Sequence, residues 1–514
     1  MSDATLFLGG RCDTGRRRVD ALLVEGGRVV AAGAEGAVRS ATPAGAERVD
    51  LAGASVVPGL VDAHLHLGDI ARLRRGFPAG SPRSVGELRQ RLAAWAEEHP
   101  AGPVVGGGFD PLVLAERRWP TLEELDGAVR DRPVVLYHVS GHVALVNARA
   151  RQLAFGSGTP PPAGTALPGS VVAEDGLRAL AGVVHEAGVL SSGELEEAVL
   201  AVVRLGVTTV GTMSTNRQEL RLLGELEAAG RLPLKVRAYP TPEEFPEPLP
   251  RAAGPDARLR VAGVKLFLDG AFGPRTAALR EPYADEAGAV GVDRGSDTEV
   301  AAVCAAAAER RLGVAVHAIG DRAVARAARL LAPHARNGLR ARVEHAGLTP
   351  PDLLAALAGT GIVLVGQPGF LLTDLWLRER LGPARARWAY AFRSQAEQGL
   401  PVAGSSDAPY GPLDPWLGMR AAVDRADGLG RSANPSPSEG LSPREAMAVY
   451  TVGGHLALGE PDVGTLEPGA PADLLVLDLP RPEAALRAVG PVVRERWVDG
   501  RRVELPGSPD GARR

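Results

Sequence analysis

The chain has 514 residues, 45% of them apolar and 23% charged, with a formal net charge of −3. That composition excludes disorder, collagen and coiled coil, and at about 100–200 residues per domain the length requires two to four units or one large α/β barrel with additions. The near balance of charge offers no global attraction to nucleic acid or to an anionic membrane.

The two cysteines, Cys12 and Cys304, can neither build a disulfide framework nor complete a four-ligand zinc site. No basic segment followed by an apolar stretch opens the chain, and no uncharged apolar run approaches the ~18–20 residues that span a bilayer. A cytoplasmic location is therefore expected. Among the 58 basic residues only Lys235 and Lys265 are lysine. Where a generic cation suffices this chain uses arginine, so each lysine is a candidate for a task that needs an amine able to lose its proton.

In chain order, residues 5–8 and 21–24 are short apolar runs that end at Gly9-Gly10 and at Glu25-Gly26-Gly27, the pattern of β-hairpins. Residues 472–478 and 492–498 repeat it near the far end. These ends predict one small β domain assembled from residues 1–55 and 460–514. Between them, β-rich runs recur at 56–66, 207–213, 234–240, 262–268, 314–319, 342–346, 362–368 and 401–407, separated by helical stretches rich in Ala, Leu, Arg and Glu. Eight such strands predict an α/β chain with a (β/α)8 barrel over 56–459. The gap at about 70–200 is too long for a loop and holds strand-like pieces at 103–105 and 133–137, so an inserted subdomain over the barrel mouth is expected.

The first barrel strand ends Val61-Asp62-Ala63-His64-Leu65-His66, and because side chains alternate along a strand, His64 and His66 face the same way. Two imidazoles on one face at a strand end form a metal-ligand pair; the plain alternative is two core histidines with satisfied hydrogen bonds. Later strands end in His317, in Glu344-His345 and in Ser406-Asp407, each at the strand end where barrel enzymes place their working residues. The fourth strand carries Lys265. An ammonium has no lone pair for a metal. A buried, neutral amine carboxylated by CO2 offers two oxygens instead, while a salt bridge from Lys265 to Asp269 is the simpler possibility.

These residues resemble the amidohydrolase superfamily and, within it, the YtcJ-like or amidohydrolase 3 family of metal-dependent hydrolases. The likeness runs through residues 58–66, Ser140-Gly141-His142, Val146-Asn147, residues 265–270 and 317–321, Glu344-His345, Ser406-Asp407-Ala408-Pro409, residues 464–469 and Ala472-Asp473. It implies a TIM barrel with a large insertion after the first strand, plus a β-sandwich built from both termini. It implies two divalent metal ions, zinc foremost, with His64 and His66 on the more buried ion, His317 and His345 on the more exposed one, and carboxylated Lys265 bridging them. Asp407 is then both ligand and general base, and the activity is hydrolysis of a non-peptide C–N bond in an amide, N-formyl, N-acyl or cyclic amide by a metal-activated hydroxide.

The same two-metal site would serve a lactone or a phosphoester, and a catalytically inactive barrel scaffold is the reading from another class. His142 is a candidate substrate contact, although Ser140 stands where the group often has Asp. Asp269 and Asp321 are candidates either to orient ligands or to cap turns, and Asp110 reads as a turn residue. His138 reads as packed, and His99, His185, His334 and His455 as surface or packing residues. A small-molecule substrate, no nucleic acid, no membrane and a homodimer complete the expectation.

Overall fold

The computed structural model describes residues 3–139, 141, 143–156, 169–173, 176–185, 190–245, 257–427, 429–488 and 492–506. Its centre is a set of parallel strands in chain order: β1 (Leu60–Leu65), β2 (Val207–Met213), β3 (Lys235–Tyr239), β4 (Gly263–Phe267), β5 (Gly313–Ala318), β6 (Arg340–His345), β7 (Val363–Gly366) and β8 (Val402–Gly404). They are rich in Val and almost wholly buried, as parallel strands covered on both faces must be. The α/β class and the parallel order are as the sequence predicts.

Pairing runs β1–β2–β3 in one sheet and β4–β5–β6–β7–β8 in another. The fourth predicted run, 262–268, contains β4, and a separate short strand precedes it. The short strand Leu259–Val261 pairs with β3, whereas β4 pairs with β5. The Ala262 N–H donates to Ala238 O at 2.9 Å and its carbonyl accepts from Gly313 N at 2.8 Å, so one stretch of chain is bonded to both sheets. At the opposite edges the Asp407 N–H donates to His64 O and the His66 N–H to Ala408 O, both at 2.8 Å.

Helices between the strands begin with side-chain caps. Ser191 and Glu194 form a capping box on Ser192–Arg204, and Ser296 caps Asp297–Glu309. The buried face of Ser192–Arg204 includes Leu195, Val199, Val202 and Val203, which join the core around β1 and β2. Residue 200 therefore falls inside a helix that packs with the central strands. The preceding segment has its own five-stranded sheet, Phe77–Pro78, Val104–Phe109, Val134–His138, Val143–Val146 and Val171–Ala173, with a separate core of Phe77, Leu88, Phe109, Leu136 and Leu145.

Both ends of the chain contribute to two further sheets. One contains Ala4–Leu8, Ala21–Glu25, Arg28–Gly33 and Glu47–Asp50; the other joins Arg11–Asp13 and Ser55–Pro58 to Leu474–Leu477 and Val493–Val498. They share a core of Phe7, Leu22, Val56, Leu474, Val476 and Trp497, with Phe7 edge-on to Trp497 at 5.1 Å. Gly59 links Ser55–Pro58 to β1. A Cβ there would lie 2.2 Å from the Thr208 hydroxyl, so only glycine lets β1 meet β2 at this point.

Lys235, the first residue of β3, ties the central strands to these terminal sheets. Its buried ammonium lies 2.7 Å from both Asp473 and Asp499, as expected for a lysine without a catalytic task. Lys235→Ala should cost about 3 kcal/mol, the lower end for a broken buried pair because Asp499 is one-third exposed. Calorimetry should show a Tm several degrees lower, and an unchanged Tm would remove this role.

Candidate functional site

The carboxyl ends of the central strands surround a cavity of about 430 Å³. His64, His66, Lys265, His317, His345 and Asp407 all line it, so six of the seven residues singled out from the sequence meet in one place. The seventh, His142, lies outside the described residues.

His64 Nε2 and His66 Nε2 approach the same oxygen, Asp407 Oδ1, at 3.1 and 3.2 Å. The His345 ring is 5.0 Å from that of His64 and 4.5 Å from that of His317, so four imidazoles follow one another around the cavity. Donor atoms of His64, His345 and Asp407 all lie within 4.8 Å of one another, close enough to share one cation. Burial pushes the Asp407 carboxyl up, but the imidazoles of His64, His66 and His345 hold it well below the ordinary range. Burial lowers His345 to about 3, which leaves a neutral ring with a free lone pair.

Three of the four rings are fixed from behind. His64 Nδ1 donates to Glu344 Oε2 at 2.5 Å, which turns Nε2 into the cavity. Glu344 is fully buried and is gripped by Arg342, whose Nη2 lies 2.8 Å from the carboxylate and 2.7 Å from the Ala63 carbonyl. Burial alone would raise the Glu344 carboxyl; Arg342 and His64 bring it below its usual range. His345 Nδ1 pairs with Gln367 Oε1 at 2.8 Å, and Gln367 Nε2 donates to Ser405 Oγ at 3.0 Å. His317 Nε2 lies 2.9 Å from the Gly270 carbonyl and 3.4 Å from Asp269.

Asp269 stands beside His317 and accepts the N–H groups of Ala278, Ile319 and Gly320 at 2.8–3.0 Å. Asp321 accepts from Arg280 N at 3.0 Å, a loop contact outside the cavity lining. Asp62, buried and raised to about 7 by that burial, accepts from Ser406 N at 3.0 Å and so joins β1 to the segment carrying Asp407. His345 and Asp407 themselves have φ of +71° and +56°. Left-handed backbone at non-glycine residues costs of order 1–3 kcal/mol each and persists where the surroundings over-determine it.

Lys265 is the exception in this well-bonded set. Its Nζ is buried without a hydrogen-bond partner and sits 4.9 Å from the Phe267 ring. The alternative salt bridge to Asp269 is not made. Burial lowers its pKa to about 8, against the pull of Glu344 and Asp407. The neutral form is thus within reach near physiological pH.

Around the rim, Tyr410 stands edge-on to His66 at 5.2 Å and donates to Asp69 at 2.9 Å. Gly141, with φ of +68°, lies against it, and a Cβ there would come within 2.6 Å of the phenol ring. Among the described side chains, His99, His138, His334 and His455 lie outside the cavity lining. His99 is exposed and stacked on Trp95, His455 is buried with Glu460 at 2.9 Å, and His138 packs beside Trp119. Sequence reading quoted Glu344 only as part of a motif and missed its anchoring task, together with Arg342 and Gln367. Arg342 and Glu344, two residues apart and hence on one face of a buried strand, were the available signal.

Residues 47–504 match the family model described as Amidohydrolase family. The YtcJ amidohydrolase of Bacillus subtilis (strain 168) is 29% identical over 458 residues, covering 84% of this chain and 85% of that protein. The N-substituted formamide deformylase of Arthrobacter pascens is 27% identical over 524 residues, covering 95% of each. Among solved structures, an uncharacterized metal-dependent hydrolase from Pyrococcus horikoshii OT3 superposes with a TM-score of 0.78 and 32% identity, covering 93% of this chain and 98% of that one. By the extent of the family match, the chain belongs to the amidohydrolase family.

Proposed function

We propose that this protein is a divalent-metal-dependent hydrolase of non-peptide C–N bonds. The observation that carries the reading is Lys265, a buried amine with no partner, set among three buried histidines and a buried carboxylate in one cavity. Without cations, two imidazoles crowd a single Asp407 oxygen and the lysine has nothing to bind. This donor set fits two divalent ions of the zinc type, held by His64, His66 and Asp407 and by His317 and His345. Lys265 would lie between them as a carbamate, formed when the neutral amine adds CO2 and releases a proton. Bound there, such ions supply a water acidified to near neutrality and an electrophile for the substrate carbonyl.

The protein's own part is proton transfer and orientation. Asp407 accepts the proton of the attacking water at Oδ1 and delivers it to the leaving nitrogen. Glu344 and Gln367 keep the Nε2 lone pairs of His64 and His345 aimed inward. Tyr410 and Phe267 wall the chamber, which strengthens every charge interaction within it. We further propose that the central strands close into one (β/α)8 barrel over 56–459, with an insertion that begins at about 70 and ends before the helix Ser192–Arg204, and a β-sandwich from 1–55 and 460–514. The doubly bonded Ala262 and the His64–Asp407 and His66–Ala408 backbone bonds support that closure.

Elemental analysis of protein purified without chelator, with zinc and bicarbonate supplied, should give two divalent ions per chain; none would overturn the metal reading. Lys265→Ala should lose most of that metal and recover part of its activity with added short carboxylic acids, whereas unchanged metal content would exclude a bridging lysine. Asp407→Asn should lower kcat by about 10²–10⁴-fold with the fold retained, and normal turnover would remove it as the base. Glu344→Gln should weaken metal binding by about 10–100-fold through His64 alone. Matched amides, lactones and phosphotriesters decide the bond: turnover confined to the last two would replace the C–N assignment.

A further inference from the structure

The fourth imidazole of the site, His66, makes no hydrogen bond through Nδ1 among the described residues. Its Nε2 faces Asp407 Oδ1 at 3.2 Å, and on the other side of the ring Nδ1 lies 3.9 Å from Asp69 Oδ2. We propose that Asp69 is the positioning residue of His66, accepting its Nδ1–H when Nε2 is given to a cation. This rests on the reading of His66 as a metal ligand.

The chemistry of the ring requires such a partner. At 3.2 Å from a carboxylate oxygen, Nε2 carries a proton. Binding a cation needs the lone pair of that same nitrogen, so the ring proton then sits on Nδ1 and must meet an acceptor, which for metal-ligating histidines is a carboxylate, a carbonyl or water. Asp69 Oδ2 is the acidic oxygen on that side. Closing 3.9 Å to the about 2.7–3.2 Å of a hydrogen bond takes a shift of about 1 Å, within reach of a small rotation of the ring.

Asp69 is held as an anchor would be. Arg72 Nη1 donates to its Oδ1 at 2.9 Å and the Tyr410 hydroxyl to its Oδ2 at 2.9 Å. A carboxylate oxygen accepts two hydrogen bonds, so Oδ2 keeps one lone pair for His66. Arg72 is fixed in turn, with Nη2 2.8 Å from the buried carboxylate of Glu219. Glu219 belongs to the helix Arg217–Ala228, and a Cβ on Gly68 would collide with its carboxylate. The helix Leu67–Arg75, which carries Asp69 and Arg72, therefore lies directly on Glu219.

The same device already stands behind His64. There Arg342 holds Glu344, and Glu344 takes the Nδ1 proton. The pair His64 and His66 thus has two matching supports, Arg342–Glu344 and Arg72–Asp69, reached from opposite sides. They differ in burial: Glu344 is fully enclosed, whereas Asp69 is one-third exposed, so its effect belongs at the lower end of the about 10–100-fold that such partners give to metal affinity.

The test is a nitrogen NMR spectrum of zinc-loaded, full-length protein labelled with 15N in histidine alone, of which the chain has ten. Couplings between ring protons and ring nitrogens report which nitrogen carries the proton, and the signals lost in His66→Gln identify His66. In the wild type His66 should be protonated at Nδ1, and that proton should exchange slowly with water. Asp69→Ala should speed this exchange at least tenfold and, by chelator competition, weaken zinc binding about tenfold, with the His64, His317 and His345 signals unmoved. Asp69→Asn, which keeps a neutral acceptor, should fall between the two. A wild-type His66 protonated at Nε2, or an Nδ1 proton that already exchanges as freely as one in water, overturns the proposal without any variant. So does Asp69→Ala with unchanged exchange and zinc affinity, and a loss of kcat/KM alone in that variant would make Asp69 a substrate contact instead. Wild-type protein that takes up no zinc overturns the metal reading together with this one, whereas zinc uptake with His66 indifferent to Asp69 overturns this one alone.

Discussion

The site depends on one carboxylate removed from water. Glu344 is fully buried, and an isolated charge in that position would cost several kcal/mol. It is retained because Arg342 and His64 meet it from two directions, and Arg342 is in turn bonded to the carbonyls of Ala63 and Ala457. The consequence is positional. A single ion pair fixes the tautomer of His64, joins β6 to β1 across the centre, and determines where the Nε2 lone pair points. Replacing the pair with apolar residues could preserve stability, but nothing apolar would orient the imidazole.

The frame around that pair is built to transmit the same constraint. Ala262 is bonded to both central sheets, and Asp62 joins β1 to the Ser406–Asp407 segment, so the strands bearing His64, Lys265 and Asp407 cannot shift independently. Left-handed backbone at His345 and Asp407 is tolerated because their neighbours leave no alternative. Lys235, paired with Asp473 and Asp499, fastens the opposite end of β3 to the terminal sheets.

Much of this was legible in the chain. The eight β-rich runs coincide closely with β1 to β8 because parallel strands are short, buried and bounded by turns, and the two-residue period placed His64 and His66 on one side. The short strand Leu259–Val261 was not legible, because Arg260 interrupts its apolar pattern and only its pairing with β3 distinguishes it from the run that follows. Gln367 was also hidden: an uncharged amide after a strand has no pattern until the His345 ring lies 2.8 Å away. Anchors such as Glu344 show in sequence only as unexplained charges in apolar strands, and their partners come from other strands.

The scarcity of lysine is the sequence feature whose meaning the structure divides most sharply. Both lysines are buried, yet Lys235 has two carboxylates at 2.7 Å and its pKa is raised, although burial acts to lower it. Lys265 has no hydrogen-bond partner, and burial there prevails and lowers its pKa. Rarity alone could not tell these cases apart. An arginine at 235 would keep its charge and could answer the same two acids. A guanidinium at 265 would remain a cation, with no route to a neutral, nucleophilic nitrogen. On the proposed reading the requirement for an amine belongs to position 265, and what separates the two lysines is that only Lys235 has carboxylates bonded to it, not burial, which they share.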